Sequence, residues 1–581
     1  MSEIKVWAPY AKCVELYCED ASLPMHRQEN GWWWAEDDRL YSGVDYGFVV
    51  DGNGPLPDPR SRWQPKGVHN LSRFYSEDFS WSDADWSPVD FSKAIIYELH
   101  VGTFTREGTF DAIEAKLDYL AELGITHIEL LPIADFPGEV GWGYDGVSLF
   151  APKQKYGGPR KLKQLIDRCH QKGIAVILDV VYNHLGPSGN YLGHFGAYFS
   201  DHISTPWGTA VNMDQRDSPE VRQYFIDNAL MWLDEYHFDG LRLDAAHAIA
   251  DGSAIHFWEQ LTAEVRKLEA AVGYPKILIA ESHLNDARWM YSLESGGYGL
   301  DSQWHDDFHH SVVSYMTEER AGYLQDYGQL AHIAEVFSSG VYFNGQYCKY
   351  RGCLLGRPPE GLSGQHFISY IQNHDQVGNR PGGERLSHLL TKGQCKIAAA
   401  LMLFAPFVPM LFQGEEWLAS TEFQYFTDHQ EPRLGKAIKQ GRWNEAKDFG
   451  WNLKNFRDPQ SSLAFTQSVL DWDEADQGDH AEMLSWYKSL IQLRLAEPAL
   501  SAGDWCAQSV RFDEKLKWLS VNRGDYFLVC NFADEQKITL QDKGIACESL
   551  QRVIFSEPGV ELEPGHLVMA GHSAAIFKFN S

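Results

Sequence analysis

The sequence predicts an α/β protein: a closed (β/α)8 barrel of parallel strands covered by helices, with a small β-sandwich at each end of the chain. Two observations carry this reading. From residue 94 onward, short and nearly continuous apolar runs alternate with longer stretches of helical periodicity, the pattern of parallel strands buried on both faces. On either side of that region the texture changes to short alternating runs broken by Gly, Pro, Asn and Asp, which is the pattern of antiparallel sheets. At 581 residues the chain is too long for a single compact core. Three units follow: an N-terminal sandwich over 1–90, a barrel with insertions over 91–497, and a C-terminal sandwich over 498–581.

The elements can be taken in order. Lys5-Val6-Trp7 and Cys13 to Tyr17 alternate as strands of the first sandwich. Trp32, Trp33 and Trp34 follow; in an alternating strand at least one of them points inward, and domain packing accounts for the three better than a sugar platform does. Four prolines (Pro55, Pro57, Pro59, Pro65) then punctuate an arm with too little periodicity to form an element, which is expected to pack over a neighbouring surface. The candidate barrel strands are 95–99, 127–132, 175–181, 240–244, 277–281, 301–304, 367–372 and 409–413, the sixth being the weakest. Amphipathic helices are expected at 110–123, 160–172, 218–236 and 254–270, the third opened by Ser218-Pro219-Glu220. Residues 310–365 and 415–475 read as insertions at the carboxyl face of the barrel. A helix over 479–496 precedes the strands of the last sandwich, such as Trp518 to Val521 and Ala574 to Phe577.

Fifty basic and 80 acidic residues give a net charge of −30, which repels nucleic acid and anionic membrane surfaces. No run of 18 apolar residues occurs, and the start MSEIKVWAPY lacks a basic segment followed by an apolar one, so a cytoplasmic protein without a membrane span is expected. The nine cysteines are scattered with no Cys-x-x-Cys pair, which points to reduced thiols and no zinc site.

In such a barrel the strand ends converge on one face, and functional residues belong there. The third run ends in Asp179-Val180-Val181-Tyr182-Asn183-His184, the fourth in Arg242-Leu243-Asp244-Ala245-Ala246-His247, the fifth in Ile279-Ala280-Glu281-Ser282, and the seventh in Gln372-Asn373-His374-Asp375. One Asp at a strand end is usually a cap or turn former. Four ionisable clusters at four strand ends reverse those odds. Strands four and five are barrel neighbours, so Asp244 and Glu281 face each other across a space that fits a sugar, as two-carboxyl glycosidic cleavage requires.

These four segments, in this order, resemble the four signature regions of the α-amylase superfamily of glycoside hydrolases, whose catalytic domain is a TIM barrel. The resemblance spans roughly the whole chain. More narrowly, YELHVGTFTREGTF (97–110), GWGYDGV (141–147), TPWGTAVN (205–212), HDDFHH (305–310), QNHDQVGNR (372–380) and the proline-rich arm are similar to the maltooligosyltrehalose trehalohydrolases. The resemblance implies retaining hydrolysis of the α-1,4 bond next to the terminal trehalose unit of a maltooligosyltrehalose. It places the chain after a partner enzyme that makes the α,α-1,1 bond, in trehalose biosynthesis from maltodextrin or glycogen, and it implies no cofactor. It makes Asp244 the nucleophile, Glu281 the general acid and then base, and Asp375 the transition-state stabiliser. Substrate contacts are implied for Tyr144, Asp145, His184, Arg242, His247, Asp306, Asp307, His309, His310, His374, Gln376, Asn379 and Arg380. It also likens the first sandwich to a carbohydrate-binding module.

Physical reasoning sets further demands. Glu281 must keep a proton near neutral pH, and two nearby carboxylates favour that. Asp244 must stay ionised, and Arg242, on the same strand face two residues earlier, is placed to pair with it. The dense cluster His305 to His310 also suits a metal; adjacent His309 and His310 on a helix do not converge on one ion, which favours sugar contacts. Asn183 matches a residue that helps bind calcium in many α-amylases. The long calcium-holding insertion is missing, however, since His184 and Asp239 lie only 55 residues apart, and calcium dependence is not expected. Trp207 reads equally as a subsite residue or as loop packing. Ala246 and His283 depart from the family pattern, where Val and Asp are usual. The rival readings are a glycogen-branching or debranching enzyme with the same three carboxyls, and a catalytically silent glycan-binding barrel, which the intact Asp, Glu, Asp set disfavours.

Overall fold

The computed structural model describes residues 2–539 and 549–580. Eight parallel strands close into a barrel: β1 (Ile96–Leu99), β2 (His127–Leu130), β3 (Ala175–Val180), β4 (Gly240–Leu243), β5 (Ile277–Ala280), β6 (Ser302–Trp304), β7 (Phe367–Ser369) and β8 (Val408–Phe412). Each strand pairs with its successor, and β8 pairs back onto β1 through Leu411 opposite Tyr97. All eight runs named from sequence are therefore strands. β6 is only three residues long, which is why its signal was weak.

The barrel interior is layered. Ile96, Ile177, Ile279 and Ile368, one from each odd-numbered strand, lie in a single buried cluster with Trp304, Val408 and Met410. Alternate strands contribute to one layer in a barrel of this kind. Because a strand repeats every two residues, the next odd-strand layer must consist of Glu98, Asp179, Glu281 and Tyr370. A polar floor thus rests directly on an isoleucine layer, and the active-site face begins there.

The covering helices differ in detail from their sequence reading. The helix expected over 110–123 is two pieces, Phe110–Glu114 and Leu117–Leu123, with a break at Ala115 and Lys116. The one expected over 218–236 is α-helical only through Leu230 and continues as a π-helical turn, Met231–Glu235. Helix Phe257–Val272 starts at a His256 capping box rather than at residue 254. The insertion after β6 holds helices Asp306–Thr317 and Leu330–Ser339 and the hairpin Asn344–Cys348/Cys353–Gly356. The one after β8 holds helix Pro432–Asp448.

At the N-terminus a three-stranded and a five-stranded antiparallel sheet share one core, with Val6, Leu16, Trp33 and Phe48 all buried. Trp33 points inward and donates to the Ala8 carbonyl, while Trp32 donates to Glu220 on the helix Ser218–Leu230. The proline-rich arm begins as a short strand, Asn53–Leu56, a correction to its reading as wholly irregular. Beyond that it lies across the barrel: Arg60 pairs with Asp227 at 2.8 Å, Arg62 with Glu235, and Tyr224 donates to the Pro59 carbonyl. At the other end a five-stranded and a three-stranded sheet enclose Trp518, Phe527, Ile538, Leu567 and Phe577. No helix among the described residues is long and apolar enough to cross a membrane.

Candidate active site

Arg242 organises the polar floor. Its side chain is 1% exposed, so its charge must be answered by neighbours. Nη1 donates to Asp179 at 2.7 Å and to Asp244 at 2.8 Å, and Nη2 lies 3.1 Å from Glu281. The guanidinium also lies 4.1 Å over the Trp304 ring. β4 and β5 are paired with Leu243 opposite Ala280, so Asp244 and Glu281 each follow directly after the paired positions of adjacent strands, which lie about 4.8 Å apart.

The two carboxyls are held differently. Asp244 accepts from Arg242 on one oxygen and from Asn183 on the other, at 2.8 Å each. Glu281 accepts the Ala245 backbone N–H at 2.5 Å, which is aimed at it because Ala245 adopts a left-handed conformation with φ 37°. Burial is the main force pushing Glu281 up to about 8; Asp244 and Asp375 add to it, and Arg242 opposes it. Yet 27% of its side-chain surface remains open to the cleft.

His374 and Asp375 follow β7 and open a short helix, His374–Gly378. Asp375 accepts from Asn379 at 2.7 Å. His374 is clamped: Glu98 accepts its backbone N–H at 2.9 Å and faces Nδ1 at 2.5 Å, while Nε2 lies 2.9 Å from the Tyr144 hydroxyl. Tyr144 donates to Asp179 at 2.5 Å and stacks on the His374 ring at 5.2 Å. Burial pulls the imidazole pKa down, but the Glu98 carboxylate outweighs it and the net shift is upward. Among the described residues no three His, Cys, Asp or Glu side chains gather into a metal-holding group.

Residues 73–201 match the model of the α-amylase catalytic domain. A malto-oligosyltrehalose trehalohydrolase from Rhizobium sp. (strain M-11) is 44% identical over 99% of this chain and 97% of its own length. The chain belongs to the malto-oligosyltrehalose trehalohydrolase family. A second member, from Saccharolobus solfataricus, is 42% identical over 98% of this chain and 94% of its own length. A crystal structure described as a putative α-amylase from Salmonella typhimurium superposes with a TM-score of 0.89 at 33% identity, covering 99% of this chain and 97% of that one.

The remaining residues expected at the family's site fall into two groups. His184 contacts the Asn183 side chain and the Tyr144 carbonyl and stacks on exposed Trp207. Asp145 is partly exposed and lies 3.3 Å from His429. His247 packs edge-on against His283 at 4.0 Å, so the His at 283 changes a contact near the acid. Asp306 accepts from Tyr370 at 2.5 Å, and burial is the main force raising it to about 6. Gln376 accepts from Tyr323, and Arg380 forms a two-pronged pair with Glu319.

Asp307, His309 and His310 do not share this setting. Asp307 is 2% exposed and its carboxylate takes four protein donors: Tyr327, Asn285 and the backbone N–H groups of Tyr342 and Phe343. It ties the base of the hairpin insertion to the barrel, a setting that gives it a structural role whether or not it meets a sugar. His309 is buried against the Ile371 carbonyl, and His310 is buried and stacked on Tyr323. Sequence reasoning passed over Glu98 and Tyr370 and marked Asp179 only as part of a strand-end cluster. The signal was present: each is a polar residue within or just past an apolar barrel run, two positions after an inward-facing isoleucine.

Proposed function

We propose that the chain hydrolyses, with retention of configuration, the α-1,4-glucosidic bond next to the terminal trehalose unit of a maltooligosyltrehalose, releasing trehalose. The observation that carries the chemistry is the unequal treatment of two neighbouring carboxyls by one buried arginine: Asp244 accepts a donor on each oxygen, while Glu281 meets Ala245 and Arg242 through one oxygen only and is pushed up to about 8. An ionised nucleophile and a protonated acid are what a retaining glycosidase needs, and placement on adjacent strands in register suits the roughly 5–5.5 Å separation that retention requires.

In the first step an Asp244 oxygen attacks the anomeric carbon as Glu281 gives its proton to the departing glycosidic oxygen. Asp375, beside His374, faces the sugar carrying the developing positive charge and stabilises it. In the second step Glu281, now ionised, takes a proton from water as that water attacks the same carbon and Asp244 leaves. Two inversions give net retention. Tyr144, His184, Asp306, Gln376 and Asn379 surround the cleft as sugar-contacting residues, and Arg380 braces its rim.

The substrate is supplied by an enzyme that forms the α,α-1,1 bond at the end of a maltodextrin. A reducing, cytoplasmic compartment suits the eight described cysteines, all free, three of them exposed. The test is to incubate the protein separately with maltotriosyltrehalose and maltopentaose and to separate the products. Fast trehalose release from the first with little cleavage of the second is the expected result. Equal cleavage of both replaces this reading with a general α-1,4-glucanase. New α-1,6 linkages replace it with a branching enzyme.

A further inference from the structure

We propose that Glu98 is a positioning residue that holds His374 as a doubly protonated imidazolium and thereby sets the direction of the hydrogen bonds running from His374 to Arg242. This rests on the functional reading above, in which His374 stands beside the stabiliser Asp375.

The argument is a count of protons. Arg242 can only donate, so Asp179 accepts from it at 2.7 Å. Asp179 accepts from the Tyr144 hydroxyl on the same oxygen, at 2.5 Å. A phenol has one proton, and here it is spent on Asp179. The contact between Tyr144 and His374 Nε2, at 2.9 Å, is then a bond only if Nε2 carries a hydrogen. On the other side of the ring, Nδ1 faces Glu98 Oε1 at 2.5 Å, and the second Glu98 oxygen accepts the His374 backbone N–H at 2.9 Å. A carboxylate facing Nδ1 in this way calls for a second hydrogen there. Glu98 is 1% exposed, so its charge must be matched locally, and the imidazolium matches it.

The surroundings favour the same assignment. The groups facing His374 are Glu98 from β1, Tyr144 from the loop after β2, Asp179 from β3, Arg242 from β4 and Asp375 from its own turn. Trp142 and Trp304 supply apolar walls, at ring separations of 5.3 and 5.9 Å. His100 also senses His374 and is itself driven down to about 3 by burial, so it stays neutral. Glu129 stands opposite Glu98 on β2, with one oxygen lacking a partner, and burial raises its pKa well above the carboxylate range. A neutral Glu129 leaves Glu98 as the anion that His374 answers.

With Gln at position 98, no anion holds the second proton, and burial is left to pull the His374 pKa below its ordinary value. The ring is then neutral near neutral pH and the charge next to Asp375 is lost. Glu98→Gln is therefore expected to lower kcat by about tenfold or more at pH 7.5, with the deficit shrinking as pH falls, because the basic limb of the profile moves down. KM should change less than kcat. A uniform fall in kcat at every pH would mean that Glu98 only packs, and would overturn the proposal.

Because Glu98→Gln can fail to fold, a second measurement uses the wild-type protein. With 15N-histidine labelling, a ring with both nitrogens protonated at pH 8, whose signal disappears in His374→Asn, is expected. A singly protonated His374 at that pH overturns the proposal. This NMR result is independent of substrate, so failure of the trehalose-releasing reading would be seen separately, in the wild-type product assay.

Discussion

Replacing Glu281 with Gln should abolish turnover and at the same time make the protein more stable at alkaline pH. The folded chain raises the Glu281 pKa from 4.5 to about 8, chiefly by burial. Between those two values the unfolded chain has lost a proton that the folded chain keeps. Stability therefore falls as pH rises through this window and is flat above it. At about 1.4 kcal/mol per pKa unit, the ceiling on the loss is about 5 kcal/mol. Partial solvent access, 27% of the side chain, screens the charge and reduces a realistic figure to about 2–3 kcal/mol. Gln has nearly the same shape and never ionises, so it removes this pH dependence. The assay is denaturant unfolding of wild type and Glu281→Gln at pH 5 and pH 8.5. The variant should gain about 2–3 kcal/mol on wild type between the two conditions. An equal difference at both pH values would refute the argument, since it would mean that Glu281 titrates alike in folded and unfolded chains.

Three further outcomes are expected. Asp244→Asn should lower kcat by roughly a thousandfold or more and also lower the unfolding midpoint, because buried Arg242 loses one of its carboxylates, whereas Asp375→Asn should lower kcat as much with little change in the midpoint; steady-state rates and a denaturation curve check both. Asp307→Ala should do the reverse, costing about 3 kcal/mol or more of stability by stranding four buried donors, read as a shifted denaturation midpoint and faster proteolysis of the 342–356 segment. At the opposite end of the barrel, burial disfavours charge on His170, but Asp239 and Asp83, at 3.0 and 2.8 Å, outweigh it and raise its pKa. The stability this pair confers is present below about pH 6.5 and fades as pH rises through the raised value. The stability gap between wild type and His170→Asn should therefore narrow from pH 6 to pH 9.

The barrel was legible because strands buried on both faces leave a nearly continuous apolar run; three-residue β6, Ser302-Gln303-Trp304, lacks one, and its signal was correspondingly weak. Helix limits were less so. The break at Ala115 and the π turn after Leu230 arise from how each helix meets the barrel, which periodicity does not encode. At the site, residues carried by strand ends could be read, because strand alternation and the arrangement of the barrel bring Asp244, Glu281 and Asp375 to one face whatever the loops do. Residues on the insertion could not. Asp307 adjoins Asp306 in sequence, yet one faces Tyr370 near the cleft and the other is consumed by the hairpin base. Only the packing of that insertion decides which is which. Glu98 carried the strand signal, but the partner that gives it a role is 276 residues away in the chain.

The proline-rich arm has a consequence for protein engineering. Its arginines clasp the very helix and π turn that lead into β4, the strand that ends at Asp244. The arm between the leading sheets and the barrel thus braces the helix that precedes the nucleophile's strand. A graft that replaces the leading sheets should therefore keep residues 57–65, so that Arg60 and Arg62 retain their partners Asp227 and Glu235.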